Sequence, residues 1–433
     1  MISQIIFTLI FVAAVILFTI NVRKIIRNIN LGLPDDRSDQ PQKRWATMLK
    51  VAFGQSKMTK RPVAAILHFF VYSGFIIINL EVLEIVIDGI FGTHRIFANA
   101  LGGFYDFLIA SFEILALLVI VGVVAFYARR NFLKLKRFKG VEMTKWPRTD
   151  ADAILIIETL LMLAFLTMNA ADHQLQQSGA THYLSAGSFP ISGLFANLLP
   201  TSPDTLMAIE RGCWWFHIIG ILAFLNYLPY SKHFHIILAF PNTYYSKLQL
   251  KGQFSNMASV SNEVKAMLNP AFTPEPVAEG SKFGAKDVRD LSWKSLMDAY
   301  TCTECGRCTS VCPANITGKL LSPRKIMMDT RDRLTEVGEN IDKHGKDFKD
   351  DKTLLDNYIA REEIWACTTC NACTEACPVN IDPLGIIVEL RRFIVMEESA
   401  APASLNNMFS NMENNGAPWK YSPADRFNWA DKN

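Results

Sequence analysis

At 433 residues and a net charge of +3, the chain is long enough for two or three domains and too nearly neutral to suggest a nucleic-acid partner. Half of it is apolar. Most of that half precedes Phe240, in stretches near the roughly 20 residues that a helix needs to cross a bilayer, which excludes an ordinary soluble protein. Eight of the nine cysteines fall in two tight groups, the usage of metal ligation in a reducing compartment rather than of a disulfide framework. Cys213, at an apolar helix start, reads as a buried inert thiol.

In chain order, the first apolar run, Ile2 to Val22, has no Lys or Arg before it and no convincing cleavage site after it, so it reads as a retained anchor rather than a signal peptide. Further runs cover Val63 to Ile90, Phe104 to Tyr127, Ala151 to Ala170 and Gly212 to Phe240, which makes five predicted spans. Ten Lys/Arg lie from Arg23 to Arg61 and eight from Arg129 to Arg148. Only Arg95 lies between spans two and three, and residues 171–210 have none. The positive-inside rule therefore predicts a multi-pass protein of the cytoplasmic (inner) membrane, with the N-terminus outside and the C-terminal half in the cytosol.

Pro241 is expected to stop the fifth helix, and residues 241–290 have the Pro, Gly, Ser and Asn content of a connecting segment. From there to about residue 398 helices are predicted between the cysteine groups, including Ser322 to Val337, with Pro323 in its first turn, and Pro383 to Phe393. Residues 399–433 are polar and lack a core of their own, which suits a partner contact. The predicted fold is all-α: a membrane domain (1–240), a linker (241–290), an α-helical ferredoxin domain (291–398) and this tail.

Cys302, Cys305, Cys308 and Cys312 precede Pro313, and Cys367, Cys370, Cys373 and Cys377 precede Pro378, giving C-x2-C-x2-C-x3-C-P twice. Two intervening residues let consecutive thiolates wrap three corners of a cubane, while the fourth points to the neighbouring cluster. The expectation is two [4Fe–4S] clusters, one on Cys302, Cys305, Cys308 and Cys377 and the other on Cys367, Cys370, Cys373 and Cys312. Structural zinc is the bland alternative, for which this double four-membered pattern is rare. The 54 residues between Cys312 and Cys367 are too many for a compact βαββαβ ferredoxin and read as helices.

A histidine inside an apolar span needs a ligand or a partner, which singles out His68, His217, His233 and His235. On one continuous helix, His217 and His235 would lie on a common face about 27 Å apart, too far for a shared haem. His68 and His235 sit at matching depths near the cytosolic end, and a bis-histidine haem b between them is the favoured pairing. His233 substitutes if Pro229 rotates the last turns. Glu81, Glu84 and Asp88 share one face of span two, either as acceptors of protons released by quinol oxidation or as carboxylates projecting into the outer interface. Glu113 and Glu158 lie deeper in their spans. Trp214, Trp215, Tyr227 and Tyr230 read as packing or interface anchors.

The double motif, the helices between its halves and the tail from Asn411 to Ala430 resemble the iron–sulfur subunit of heterodisulfide reductases. That resemblance implies a catalytic centre on CCG domains, a motif absent from residues 1–433, and hence a separate CCG-domain polypeptide. The five spans with their histidines resemble the cytochrome b (gamma) subunit of respiratory nitrate reductases, which implies membrane lipid and a quinone as partners. A second histidine ten residues after the first on span two belongs to that pattern, and here the position is Ile78. A second haem, on His217, would need His94 or His173 instead. The resulting expectation is a relay of electrons between a quinone pool and a cytosolic partner through haem b and two clusters. The competing expectation is a haem-free anchor whose clusters drive or sense ion transport. No nucleotide loop or nucleophile–base pair marks the chain as a complete enzyme.

Overall fold

The computed structural model describes residues 1–133, 135–250, 252–274 and 282–430. Among them helices are the only regular elements, with two isolated β-bridges, Leu33 to Ser292 and Leu355 to Ile359. Five helices are long and apolar enough to cross a membrane: α1 (Ile2–Ile29), α2 (Pro62–Phe91), α3 (Gly103–Asn131), α4 (Lys145–Gln177) and α5 (Pro203–Tyr227), the last prolonged by a 3-10 turn to Tyr230. Pro62 and Pro203 stand at helix starts, where a missing N–H has no intrahelical acceptor to lose. Gly92, at φ +72°, ends α2 in the left-handed conformation that glycine tolerates.

The pairs α2 and α3, α3 and α4, and α4 and α5 pack along one another, with α1 against α2 and α5. Small residues let the backbones approach closely. A Cβ on Gly74 of α2 would lie 2.4 Å from Val119 of α3, and one on Gly220 of α5 would lie 2.6 Å from Leu161 of α4. Leu9, Phe69, Leu83, Val121, Leu160 and Phe216 stay exposed on the outside of the bundle, as an apolar belt facing lipid requires.

The fifth span differs from the expectation of one helix from Gly212 to Phe240. It begins earlier, at Pro203, and breaks at Leu228–Tyr230. The chain then turns through Ser231 and a 3-10 turn, Lys232–Phe234, into α6 (His235–Tyr244). Pro229 and Asp150 of α4 account for the break. Asp150 accepts hydrogen bonds from Tyr227 Oη, from Ser231 Oγ (2.7 Å) and from the Lys232 N–H (3.2 Å), which rewards a turn over a continued helix. The premise that placed His217 and His235 on one helix face therefore fails. Pro241 also does not stop the helix, because one lost N–H is tolerable in a segment fixed by its packing.

α6 lies on the C-terminal domain, which is built from α8 (Trp293–Thr301), α9 (Pro323–His344) and α10 (Pro383–Met396). Ser322 caps α9 and Asp382 caps α10, each accepting a backbone N–H three residues on. A surface helix, α7 (Ala258–Leu268), has no buried residue, and neither does α11 (Ala403–Asn415) in the tail. The stretch expected to be a plain linker is thus mostly structured at its two ends. Asn242 in α6 is fully buried and donates to Val379 O at 3.0 Å, and Ala285 and Val288 are buried in the domain core.

That core includes Ile25 and Ile29 of α1 together with Leu228, Phe234 and Leu238, so bundle and domain share one apolar interior at their junction. Polar contacts reinforce it. Asn28 donates to Tyr300 Oη at 2.9 Å, and Arg61 to Ser310 Oγ at 2.6 Å. In the segment joining α3 to α4, buried Glu142 pairs with Arg324 of α9 at 2.7 Å and accepts from Ser322 Oγ at 2.6 Å. Burial opposes its ionised form, yet Arg324 and Ser322 hold the Glu142 carboxyl below its usual range. Glu142→Ala leaves Arg324, 1% exposed, as an uncompensated buried charge. It should cost about 3 kcal/mol, visible as a lower thermal midpoint of the detergent-purified protein; an unchanged midpoint would show that the pair does not hold the junction.

Candidate metal centres

The two cysteine groups lie at the ends of short helices that position their thiols. Cys302 follows the last residue of α8, and Cys312 and Cys377 each occupy the residue next to a short helix, Pro313–Ile316 and Ala372–Ala376 respectively. Positive φ at Glu304 (56°), Gly306 (69°) and Thr369 (55°) lets the intervening loops curl so that successive thiols face one side. At Gly306 close packing adds to the requirement, since a Cβ there would lie 2.7 Å from Arg324 Nη1.

Cys302, Cys305, Cys308 and Cys377 line one cavity, roofed by Arg307, Met327, Val379 and Ile381. Cys377, from the second motif, is thereby brought to the first three cysteines of the first motif. Cys312 in turn lies beside Cys367, whose other neighbouring thiol is Cys370, and Cys373 adjoins Cys367. Cys308 and Cys373 are close enough to influence each other, so the two groups are adjacent. Cys370 is exposed, whereas Cys302, Cys312, Cys373 and Cys377 are buried. Burial pushes the Cys302, Cys373 and Cys377 thiols up to about 12. Thiols so placed stay protonated at neutral pH until a cation sits beside them, which couples metal uptake to proton release.

Among the described residues no three His, Cys, Asp or Glu side chains converge on a point that would hold a single ion. Cys302, Cys305, Cys308 and Cys377 around one cavity are a donor set of the kind an iron–sulfur cluster takes.

The junction side of the bundle also gathers three histidines. His68 of α2 lies near His235 and His233. The His233 and His235 rings are 5.6 Å apart, and His233 Nε2 is 3.5 Å from Glu158 of α4. His235 Nδ1 is 3.1 Å from Lys232 O, which orients the ring and leaves Nε2 available; His68 Nδ1 is buried with no hydrogen-bond partner. His217 sits elsewhere, fully enclosed, with Nδ1 2.9 Å from Leu161 O and its ring against Phe165. His94 packs on Tyr183 and approaches Asp172, with its Nδ1 buried and unpartnered, and His173 pairs with Gln177 and Phe189.

Glu81 and Glu84 do not project into an interface; both are 4% exposed. Glu84 accepts from Phe97 N and Tyr105 Oη, and Asp88 accepts from Arg95 N and Ile96 N as a cap for the loop after α2. Arg95 ties this end together through Asp172 (2.6 Å), Tyr105 and Asn169, and Asn169 donates to Glu113. Glu81 Oε2 has no partner in the network. Trp214 packs on Phe7.

Sequence reasoning missed the polar shell between bundle and cysteines. Lys57 Nζ donates to Cys377 O at 3.1 Å, Arg307 Nη1 to Lys57 O at 3.2 Å, and Glu304 pairs with Lys232 and Arg331. Its signal in the sequence is Arg307 inside the first motif together with the basic runs that also set the topology.

Fold and cysteine site together define a membrane-capable chain with an iron–sulfur domain at one end of its bundle. Residues 301–381 match the 4Fe-4S dicluster domain family. Over 99% of its length the chain is 28% identical to the probable iron-sulfur-binding oxidoreductase of Bacillus subtilis, covering 61% of that protein. Over 92% it is 27% identical to the EtfAB:quinone oxidoreductase of Syntrophomonas wolfei, covering 55% of it. A shorter stretch, 24% of the chain, is 34% identical to one subunit of the ferredoxin/F(420)H(2)-dependent CoB-CoM heterodisulfide reductase of Methanosarcina acetivorans, of which it covers 52%. Its homologues are thus iron–sulfur oxidoreductases and a class of heterodisulfide reductase subunits, and the chain spans little more than half the length of the first two. No solved structure matches.

The thiol placement has a test that needs no cofactor. Mild oxidation of iron-depleted protein should link Cys377 to Cys302, Cys305 or Cys308, and Cys312 to Cys367, Cys370 or Cys373, as mapped by peptide mass spectrometry. Links confined within each sequence motif would contradict the placement.

Proposed function

We propose that the chain is a membrane-bound electron-transfer subunit that relays electrons between a quinone pool and a partner protein. The observation that carries this reading is the placement of two four-cysteine groups beside the His68, His233 and His235 group, at one end of a five-helix bundle. Cys302, Cys305, Cys308 and Cys377 hold one [4Fe–4S] cluster and Cys367, Cys370, Cys373 and Cys312 the other. His68 and His235 hold a haem b, with His233 steadied by Glu158. Bound there, these groups supply one-electron carriers.

Support for the histidine pair comes from His68 Nδ1, which burial leaves without a partner, and from the Lys232 carbonyl that fixes the His235 ring. An isolated buried imidazole costs free energy that ligation would offset. His217 is the residue for a second, outer haem, for which the structure offers a ring oriented by the Leu161 carbonyl. The quinone reading draws on the printed name of the Syntrophomonas relative. For proton release, Glu81 is favoured over Glu84 and Asp88, because their oxygens are already engaged. The basic segments and the cysteine domain share one side of the bundle, which agrees with a cytosolic domain and an outer N-terminus. The substrate-converting CCG site is assigned to a partner polypeptide that meets the tail, where Trp419, Phe427 and Trp429 are exposed.

Two experiments test this. Purified protein should show a sharp reduced-minus-oxidised band near about 560 nm, lost in His68→Ala and His235→Ala and kept in His94→Ala. A spectrum with only broad iron–sulfur absorbance would favour the haem-free anchor, and an unchanged band in the first two variants would remove the ligand pair. Purification in mild detergent should also retain a CCG-containing chain, detected by mass spectrometry. Recovery of the chain alone with full substrate-converting activity would sink the separate partner.

A further inference from the structure

We infer that Arg307, with Arg137 beside it, sets the reduction potential of the cluster held by Cys302, Cys305, Cys308 and Cys377, raising it through uncompensated positive charge. The inference rests on the two-cluster assignment above. Arg307 lies inside the first motif, is 5% exposed and lines the same cavity as the four thiols. Its guanidinium donates to the Lys57 carbonyl, and the charged groups acting on it are Cys305, Cys377 and Arg61, with no carboxylate among them. Arg137 faces Cys305 as well, over the Phe138 ring at 4.8 Å, with Nε buried and unpartnered.

Arg324, Lys232 and Arg331 differ, because each already has an anion, whereas Arg61 beside Arg307 donates to the Ser310 hydroxyl and adds to the positive charge. Arg324 pairs with Glu142, and Lys232 and Arg331 share Glu304. The second cysteine group has another electrostatic setting. Asp382 acts on Cys373, Arg391 acts on Cys367 while stacking on Trp365, and Cys370 is open to solvent that screens charge. Uptake of one electron makes a cluster more negative by one unit, so a nearby buried cation with no counter-anion favours the reduced form. At the membrane-side group that cation is Arg307. The consequence for function is an unequal pair, with the cluster nearest the histidines held as an electron acceptor for the membrane domain.

The test is a redox titration followed by electron paramagnetic resonance on the full-length protein in detergent, for wild type, Arg307→Gln, Arg307→Lys and Arg137→Gln. Arg307→Gln should lower the midpoint of one cluster signal and leave the other in place, Arg137→Gln should lower the same signal by less, and Arg307→Lys should restore it. Midpoints that do not move in Arg307→Gln, or that move equally for both signals, would overturn the inference. Iron analysis separates this failure from failure of the assignment it rests on: about eight irons per chain with unmoved potentials refutes the role of Arg307, whereas fewer in wild type refutes the two-cluster reading. Loss of iron in Arg307→Gln and Arg307→Lys alike would also overturn it, by showing that Arg307 builds the site rather than tunes it.

Discussion

Cys377 has to travel back across the domain to join Cys302, Cys305 and Cys308, and much of the C-terminal half is arranged around that return. α9 and α10 pack on each other and on α8, and their caps at Ser322 and Asp382 place helix starts next to the cysteine loops. The same crossing brings Cys312 to Cys367. Each group of neighbouring thiols therefore includes one from the other motif. Because Lys57 donates to the carbonyl of Cys377, the crossing is also tied to the membrane side.

This connection makes the junction more than a tether. A core shared by α1, the end of α5, α6 and the domain leaves little freedom for the cysteine groups to swing away from the bundle. The break after Tyr227 is part of the same design. Asp150 draws the chain into a turn, and the turn carries His233 and His235 sideways towards His68 instead of continuing straight beneath His217. Three histidines and eight thiols thus collect on the side where the basic segments lie, and that grouping is the physical basis for reading the protein as a relay. At the opposite end Arg95 organises carboxylates that would otherwise be costly to bury, leaving Glu81 with one oxygen unpaired.

The cysteine spacing and the apolar runs were legible because each is a local pattern. Five spans, helices at Pro323 and Pro383, and the all-α class follow from residues near one another in sequence. The broken fifth span was not legible, since its cause includes Asp150, about eighty positions away. Nor was the fate of Glu84 and Asp88, whose oxygens are occupied by backbone N–H groups of the loop that folds back over the end of α2, or of Glu113, which accepts from Ile191 N nearly eighty positions away. Arg137 counts only as a topology signal and nothing local marks Arg307, because counting charges along a sequence does not show which cations find an anion after folding.

The central claim is that His68 and His235 link the membrane to the cysteine clusters. It is tested most directly by adding a soluble quinol to the oxidised purified protein and following the cluster signals. Rapid reduction of the clusters is expected in wild type and severe slowing in His68→Ala, whose clusters are otherwise intact. Reduction at the same rate in both proteins would contradict it.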